Sequence, residues 1–271
     1  MDAARCLFLF LDYDGTLVPL ADHPSRAALP EKKRRLLDQL SRMPDVEVAV
    51  ISGRALGDLK KMVRLNRLCY VGNHGLELES PGFRYVNPVA AQCRPFMREM
   101  ARRLSDVLRP IRGVWVEDKR YTLSVHCRSV PKEDEVLVKN GFYEVIRPYQ
   151  EKRQARVTVG KHVFEVRPPV RWDKGTIVNW LLTRRLARMD GPKTFLLFYL
   201  GDDQTDEDAF ETLRDRGITV RVGASSILTS ARYAVRSPQD VERLLKMMLE
   251  RRKKGRRRLI AANHEKSLLS V

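Results

Sequence analysis

Two short acidic segments hold the chemistry this sequence could perform. The first, Asp12-Tyr13-Asp14-Gly15-Thr16-Leu17, comes directly after the apolar run 6–11. Two carboxylates at i and i+2 can divide the work: one attacks phosphorus, and the other, partly protonated, gives a proton to a leaving alcohol. Gly15 permits the sharp turn that would expose both acids at a strand end. Taken alone, the same pattern could be an acidic turn or a helix cap, since Asp is common at both. The second segment, Gly201-Asp202-Asp203-Gln204-Thr205-Asp206-Glu207, also follows an apolar run and also opens on glycine. Acids this dense repel one another unless a cation balances them, and hard oxygen ligands around a small cation point to Mg²⁺. Capping of the next helix accounts for some of them, Glu207 especially. It does not account for two acidic clusters that both follow buried strands.

Two further segments fit between these. Ser52-Gly53-Arg54 follows a second apolar run, where a hydroxyl and a backbone N–H could hold phosphate oxygens. Lys174, in Trp172-Asp173-Lys174-Gly175, could offset charge on both a phosphate and a nucleophile. A serine after a strand is ordinarily a cap, and a lysine is ordinarily solvated. The four segments together form one constellation along one predicted sheet edge, where open α/β sheets collect functional groups.

The elements that must position them alternate strand and helix. Apolar runs at 6–11, 46–51 and 68–71 read as buried parallel strands, and Pro30 opens a helix carrying Leu36, Leu37 and Leu40. A second helix covers 56–63. The same order returns late, with a helix over 172–189, a strand over 194–200, a helix over 206–214, strands at 218–222 and 233–235, and a closing helix over 238–250. Between the halves the pattern changes to α-β-β-α-β-β: a helix at 89–108, strands at 114–118 and 121–127, a helix at 131–147, and strands at 157–159 and 162–166. The expectation is an α/β chain with a Rossmann-like parallel-sheet core, residues 1–87 plus 172–271, and an inserted α/β cap domain, residues 88–171.

The 271 residues are 43% hydrophobic, enough for a sizeable core. Cys6, Cys69, Cys93 and Cys127 form no C-x-x-C pair, which fits reduced thiols in a cytoplasmic enzyme better than a disulfide framework or a zinc site. No apolar run approaches a membrane span, and a monomer is expected. Much of the formal charge of +17 sits in the block 251–258, ordinarily a solvated helix end or flexible tail. Without aromatic interleaving or a base-reading motif, nucleic acid is not the expected partner.

In order and spacing, the four segments resemble the motifs of the haloacid dehalogenase superfamily. The resemblance implies Asp12 as nucleophile, Asp14 as acid/base, and Ser52 and Lys174 as phosphate-neutralising groups. It also implies Mg²⁺ held by Asp12, the backbone carbonyl of Asp14, and Asp202, with Asp203 and Asp206 standing behind. Asp12 would attack a phosphomonoester to give an aspartyl-phosphate, which water activated by Asp14 would then hydrolyse.

A cap must choose the substrate. In 123–128, Ser124, His126 and Arg128 alternate with apolar residues, and Glu117 and Lys119 share parity on the preceding strand. A polar sheet face is ordinarily just solvated, yet this mixture of donors and acceptors suits a polyhydroxylated anion. In wording, Ser52-Gly53-Arg54, Gly72-Asn73-His74-Gly75-Leu76-Glu77, the stretch 117–128, Gly160-Lys161 with Glu165-Val166-Arg167-Pro168, and 201–207 resemble the trehalose-6-phosphate phosphatases. This implies that Glu117, Lys119, Arg128, Lys161 and Glu165 grip a disaccharide, joined by Arg54, His74 and His126, and that the cap closes to exclude water. A phosphatase for sucrose 6-phosphate or mannosyl-3-phosphoglycerate, a phosphohexomutase, and a non-catalytic sugar-phosphate sensor stand as alternatives.

Overall fold

Alternate residues of Cys6–Asp12 (β1) face opposite sides of a sheet, and nearly all are apolar, as a parallel strand covered on both faces requires. A computed structural model describes residues 6–21, 27–160, 162–188, 194–223 and 228–268. The chain divides into two units, 1–84 with 173–271, and 85–172.

In the first unit β1 lies at the centre of an eight-stranded sheet. Val46–Ile51 (β2) and Cys69–Gly72 (β3) continue it in parallel on one side. On the other side lie Phe195–Gly201 (β10), Ile218–Val222 (β11) and Tyr233–Val235 (β12), also parallel. Glu77–Ser80 (β4) turns back antiparallel to β3, and Phe83–Val86 (β5) forms the edge. The register pairs Asp12 with Ile51 and Leu11 with Leu200, so the segments after β1, β2 and β10 emerge at one level of one sheet edge. Leu7, Leu9 and Leu11 pack against Glu31–Ser41 (α1), Leu56–Val63 (α2) and Pro238–Leu268 (α7). Lys174–Leu186 (α5) and Glu207–Thr212 (α6) bury Ile177, Val178, Leu182 and Phe210, the last edge-on to Tyr199 of β10 at 5.6 Å.

Two features depart from expectation. The β4–β5 pair is absent from the sequence reading, and α7 continues to Leu268 instead of stopping near Glu250. Of the two forms expected for the basic block, the structure shows the helix end, not the tail, and Arg252 within it is buried while Arg251, Lys253 and Lys254 are exposed.

The second unit has the expected order: Pro88–Leu108 (α3), Trp115–Asp118 (β6), Leu123–His126 (β7), Glu135–Glu151 (α4), Arg156–Gly160 (β8) and Val163–Arg167 (β9). Its strands form an antiparallel sheet in the order β6-β7-β9-β8. Leu123, Val125 and Val166 pack with Met97, Met100 and Leu104 of α3 and Phe142 and Ile146 of α4. Because side chains alternate, that apolar face leaves the opposite face to Glu117, Ser124, His126 and Glu165. Asn87 opens α3, its side chain accepting from the backbone N–H groups of Val89 and Ala90. Among the described residues no helix is long and apolar enough to cross a membrane.

Candidate active site

Residues 12 and 202 are separated by most of the chain, yet they meet. Carboxylate oxygens of Asp12, Asp202 and Asp206 lie within 4.8 Å of one another. Lys174, the first residue of α5, is placed by Asp173, whose side chain caps that helix through the Thr176 N–H at 2.7 Å. Its ammonium then donates to Asp12 Oδ1 at 2.7 Å and Asp206 Oδ1 at 2.8 Å, with Asp203 at 3.8 Å. Asp206 has its acceptors committed. Oδ1 also takes the Tyr199 hydroxyl at 2.7 Å, and Oδ2 takes the backbone N–H groups of Asp202 and Asp203 at 3.0 and 3.1 Å. It acts as a brace for the 202–203 turn and for Lys174, leaving Asp12 and Asp202 as the available oxygens. Thr16 Oγ1 donates to Asp202 at 3.2 Å. Gly15, at φ 80°, has no room for a side chain: a Cβ there would lie 2.0 Å from Asp202 Oδ2.

The electrostatics follow from crowding buried charges. Burial pushes Asp12 well above the ordinary carboxylate range, and Asp206 and Asp202 push the same way against Lys174. Burial with Asp203 and Asp206 pushes Asp202 up to about 7. Burial opposes the Lys174 charge, but Asp12, Asp206 and Asp203 outweigh it and hold the ammonium well above its ordinary value. Three carboxylates against one ammonium leave an excess of negative charge on hard oxygen donors, a set that fits a small divalent cation.

The neighbouring loops are clasped together. Ser52 is buried, its carbonyl accepts from the His74 N–H at 3.0 Å, and its Oγ accepts from the Arg54 N–H at 3.2 Å. Glu77 is buried and accepts from Leu56 N–H at 2.9 Å and Asn73 Nδ2 at 2.7 Å, tying the start of α2 to the 73–75 turn. His74 adopts a left-handed conformation at φ 55°, and its ring lies where a Cβ at Gly53 would be, 2.4 Å from Nε2. Arg54 forms a two-pronged pair with Asp14, Nε to Oδ2 and Nη2 to Oδ1 both at 2.6 Å.

On the polar face of the second unit, charges pair with one another. Glu117 meets His126 Nε2 at 2.9 Å, and His126 stacks on Trp115 with ring centroids 3.9 Å apart. Lys119 lies 3.6 Å from Glu165 and 4.0 Å from Glu117, and Arg167 also pairs with Glu165. Ser124 sits opposite both Glu117 and Glu165 in the register. Arg128 departs from expectation. β7 ends at His126, so Arg128 lies in the following turn and does not continue the strand's alternation. Lys161 lies outside the described residues.

A family model described as trehalose-phosphatase matches residues 10–242. The chain belongs to the trehalose-phosphatase family. The probable trehalose-phosphate phosphatase H of Arabidopsis thaliana is 33% identical over 264 residues, covering 92% of this chain and 74% of the relative. Among solved structures, the C-terminal domain of the C. albicans trehalose-6-phosphate phosphatase superposes with a TM-score of 0.72 at 26% identity, covering 91% of this chain and 92% of that one. A trehalose-6-phosphate phosphatase related protein reaches 0.77 at 21% identity over 90% and 97% of the two chains, a likeness of fold alone. The expected α/β fold of haloacid dehalogenase type and the expected phosphatase class are borne out.

Within this candidate site, sequence reasoning missed several supports. Tyr199 lies inside an apolar strand, and nothing in its neighbourhood signals that its hydroxyl reaches Asp206. Glu207 was expected to cap a helix; its carboxylate instead takes Arg221 Nη1, Thr229 Oγ1 and the Ser230 N–H at 2.7–2.9 Å. Arg221 also reaches the Asp203 carbonyl at 3.4 Å, bracing the acidic turn from behind. The paired signs of Glu207 and Arg221 were visible, but not their meeting.

Proposed function

We propose that this chain hydrolyses trehalose 6-phosphate to trehalose and phosphate, with Asp12 as nucleophile and Asp14 as proton donor and then base. The supporting observation is the convergence of Asp12, Lys174 and Asp202, because an ammonium 2.7 Å from the Asp12 carboxylate aims it for attack and opposes the burial that raises its pKa. Asp12 attacks phosphorus, the bond to the sugar oxygen breaks, and Asp14 protonates that oxygen. Asp14 then removes a proton from water as it attacks the aspartyl-phosphate, releasing phosphate and restoring Asp12. The Asp14 carboxylate is held by Arg54. The substrate must draw Arg54 onto its own anionic oxygens before Asp14 can serve the leaving group. Lys174 and Ser52 neutralise and position the phosphoryl group.

Mg²⁺ would be held by Asp12, Asp202 and the Asp14 carbonyl, and when bound it would neutralise charge on the transferring phosphoryl oxygens. The polar face of the second unit supplies sugar recognition, since Glu117, Lys119, His126 and Glu165 offer donors and acceptors in close alternation.

Phosphate release from a panel of sugar phosphates, with Mg²⁺, tests this reading. Trehalose 6-phosphate is expected to be turned over fastest, and Asp12→Asn to lower the rate by at least about 10⁴-fold, as loss of a nucleophile does elsewhere. Faster turnover of sucrose 6-phosphate or mannosyl-3-phosphoglycerate would overturn the substrate assignment. An active Asp12→Asn protein would overturn the chemistry.

A further inference from the structure

The first unit holds a second concave site, at the opposite end of α5 from Lys174. Thirteen residues at 1.5 Å each place the far end of this helix about 18 Å from its start. There a cavity of about 380 Å³ opens between the last turns of α5, the sheet face and the β4–β5 turn. Its floor is apolar and includes Phe8, Phe10, Ala49 and Cys69. Burial pushes the Cys69 thiol up to about 12, so the sulfur is floor and not a nucleophile. Phe83 lines one wall; its ring stacks on Trp180 with centroids 5.9 Å apart, and the Arg184 guanidinium lies 3.8 Å from the Phe83 ring centroid.

The rim is basic. Arg67, Arg184, Arg185 and Arg188 line the cavity, against Glu47 as its one acid. Glu47 is taken up by Arg185. Among the described residues, no carboxylate pairs with Arg67, Arg184 or Arg188. A helix C-terminus favours basic residues, which accounts for Arg184 and Arg185 in the last turn of α5. It does not account for Arg67, which approaches from the segment before β3, nor for the Phe83 ring beneath the Arg184 guanidinium. Planar guanidiniums over an aromatic ring are suited to a flat group and an anion held together. The volume lies within the range of small-molecule sites.

We propose that this groove binds a small organic anion carrying a flat aromatic group, the aromatic part lying along Phe83 and the floor and the anionic part held by Arg67, Arg184 and Arg188. The site is separate from the catalytic carboxylates and does not rest on the assignment of the phosphatase substrate.

The full chain is titrated with 8-anilinonaphthalene-1-sulfonate, followed by fluorescence. ATP and salicylate serve as competitors that separate a nucleotide source from an aromatic-acid source, and sulfate serves as a charge without a flat body. One saturable site is expected, displaced by ATP or salicylate but not by equal sulfate. Arg67→Glu/Arg188→Glu changes two exposed residues, so the fold should be kept. It should weaken binding at least about tenfold, since charge-assisted contacts are the strong ones, and leave phosphatase turnover unchanged. Lys253→Glu/Lys254→Glu, an equal charge reversal on α7, should leave binding as it was. Unchanged binding in the 67/188 variant, equal weakening in the 253/254 variant, or equal displacement by sulfate would each overturn the site and leave only general attraction to a basic protein.

Discussion

The carboxylates at the ends of β1 and β10 and the charges on the polar face of the second unit are both dense clusters of opposite sign, but they are held differently. In the first, each group answers to several fixed partners. Asp206 accepts from four donors, Lys174 is wholly enclosed, and the Asp202 carboxylate fills the space that a side chain at Gly15 would need. In the second, the charges sit nearer the surface and pair mainly with one another: Glu117 with His126 and Lys119, and Glu165 with Lys119 and Arg167. A cluster that cannot rearrange suits a transition state whose charges appear at fixed points. If that face grips the sugar as proposed, its mutually paired members would exchange those partners for sugar hydroxyls at small cost. Substitutions should therefore cost turnover in the first region and affinity in the second.

After loss of the nucleophile itself, the largest effect should come from Lys174→Met. It keeps most of the side-chain volume but leaves Asp12 and Asp206 buried without their cation. Removing one partner of a buried ion pair costs about 3–5 kcal/mol, and chemical denaturation should show this. Turnover should fall by about 10³-fold, at the upper end of what one lost electrostatic contact costs. Near-normal turnover would mean that the enclosed ammonium is structural only.

Gly15→Ala should come next. The new Cβ would collide with the Asp202 carboxylate and would sit at a positive φ. Displacing Asp202 by about 1 Å should lower turnover by about 10²-fold. The rise in melting temperature that Mg²⁺ gives the parent protein, the linkage expected of any ligand bound only by the folded state, should shrink with it. A full Mg²⁺ response would show that Asp202 does not hold the ion.

The two regions also differ in how well the sequence announces them. Buried parallel strands appear as continuous apolar runs, and the acids at their carboxyl ends interrupt those runs, so the positions of Asp12, Ser52 and Asp202 could be read one strand at a time. The β4–β5 pair escaped because its strands are four residues long and mix Glu, Ser and Arg with apolar residues, although Pro81-Gly82 marks the turn between them. The extension of α7 past Glu250 escaped because a run of like charge is compatible with either a helix end or a tail, whereas Arg and Lys are good helix formers and only Gly255 interrupts them. On the polar face, parity placed Glu117 correctly beside Ser124, but nothing local says that β7 stops at His126 and sends Arg128 into a turn. The Arg54–Asp14 pair is longer-ranged still, joining loops forty residues apart.

Glu117→Gln tests the second region with a smaller effect. The change keeps the shape and removes the charge that faces His126 and Lys119. KM for trehalose 6-phosphate should rise by about tenfold, the factor that 1.4 kcal/mol of binding represents, while turnover at saturation stays within a few-fold. A loss confined to turnover would place Glu117 with the catalytic groups and erase the distinction between the two regions.

The smallest single effect should be at Arg167, and it is the sharpest test of mutual compensation. Glu165 is flanked by both Lys119 and Arg167, so removing either cation leaves the other to hold the carboxylate. Arg167→Ala and Lys119→Ala should each raise KM by only about two- to threefold. The double variant should exceed their product, because Glu165 would then have lost both of these cations at once; coupling of about 0.5–3 kcal/mol is usual for residues sharing a partner. Steady-state kinetics on the four proteins of the cycle measures this directly. Strict additivity would mean that each cation meets the substrate independently, and that the pairing with Glu165 plays no part in sugar recognition.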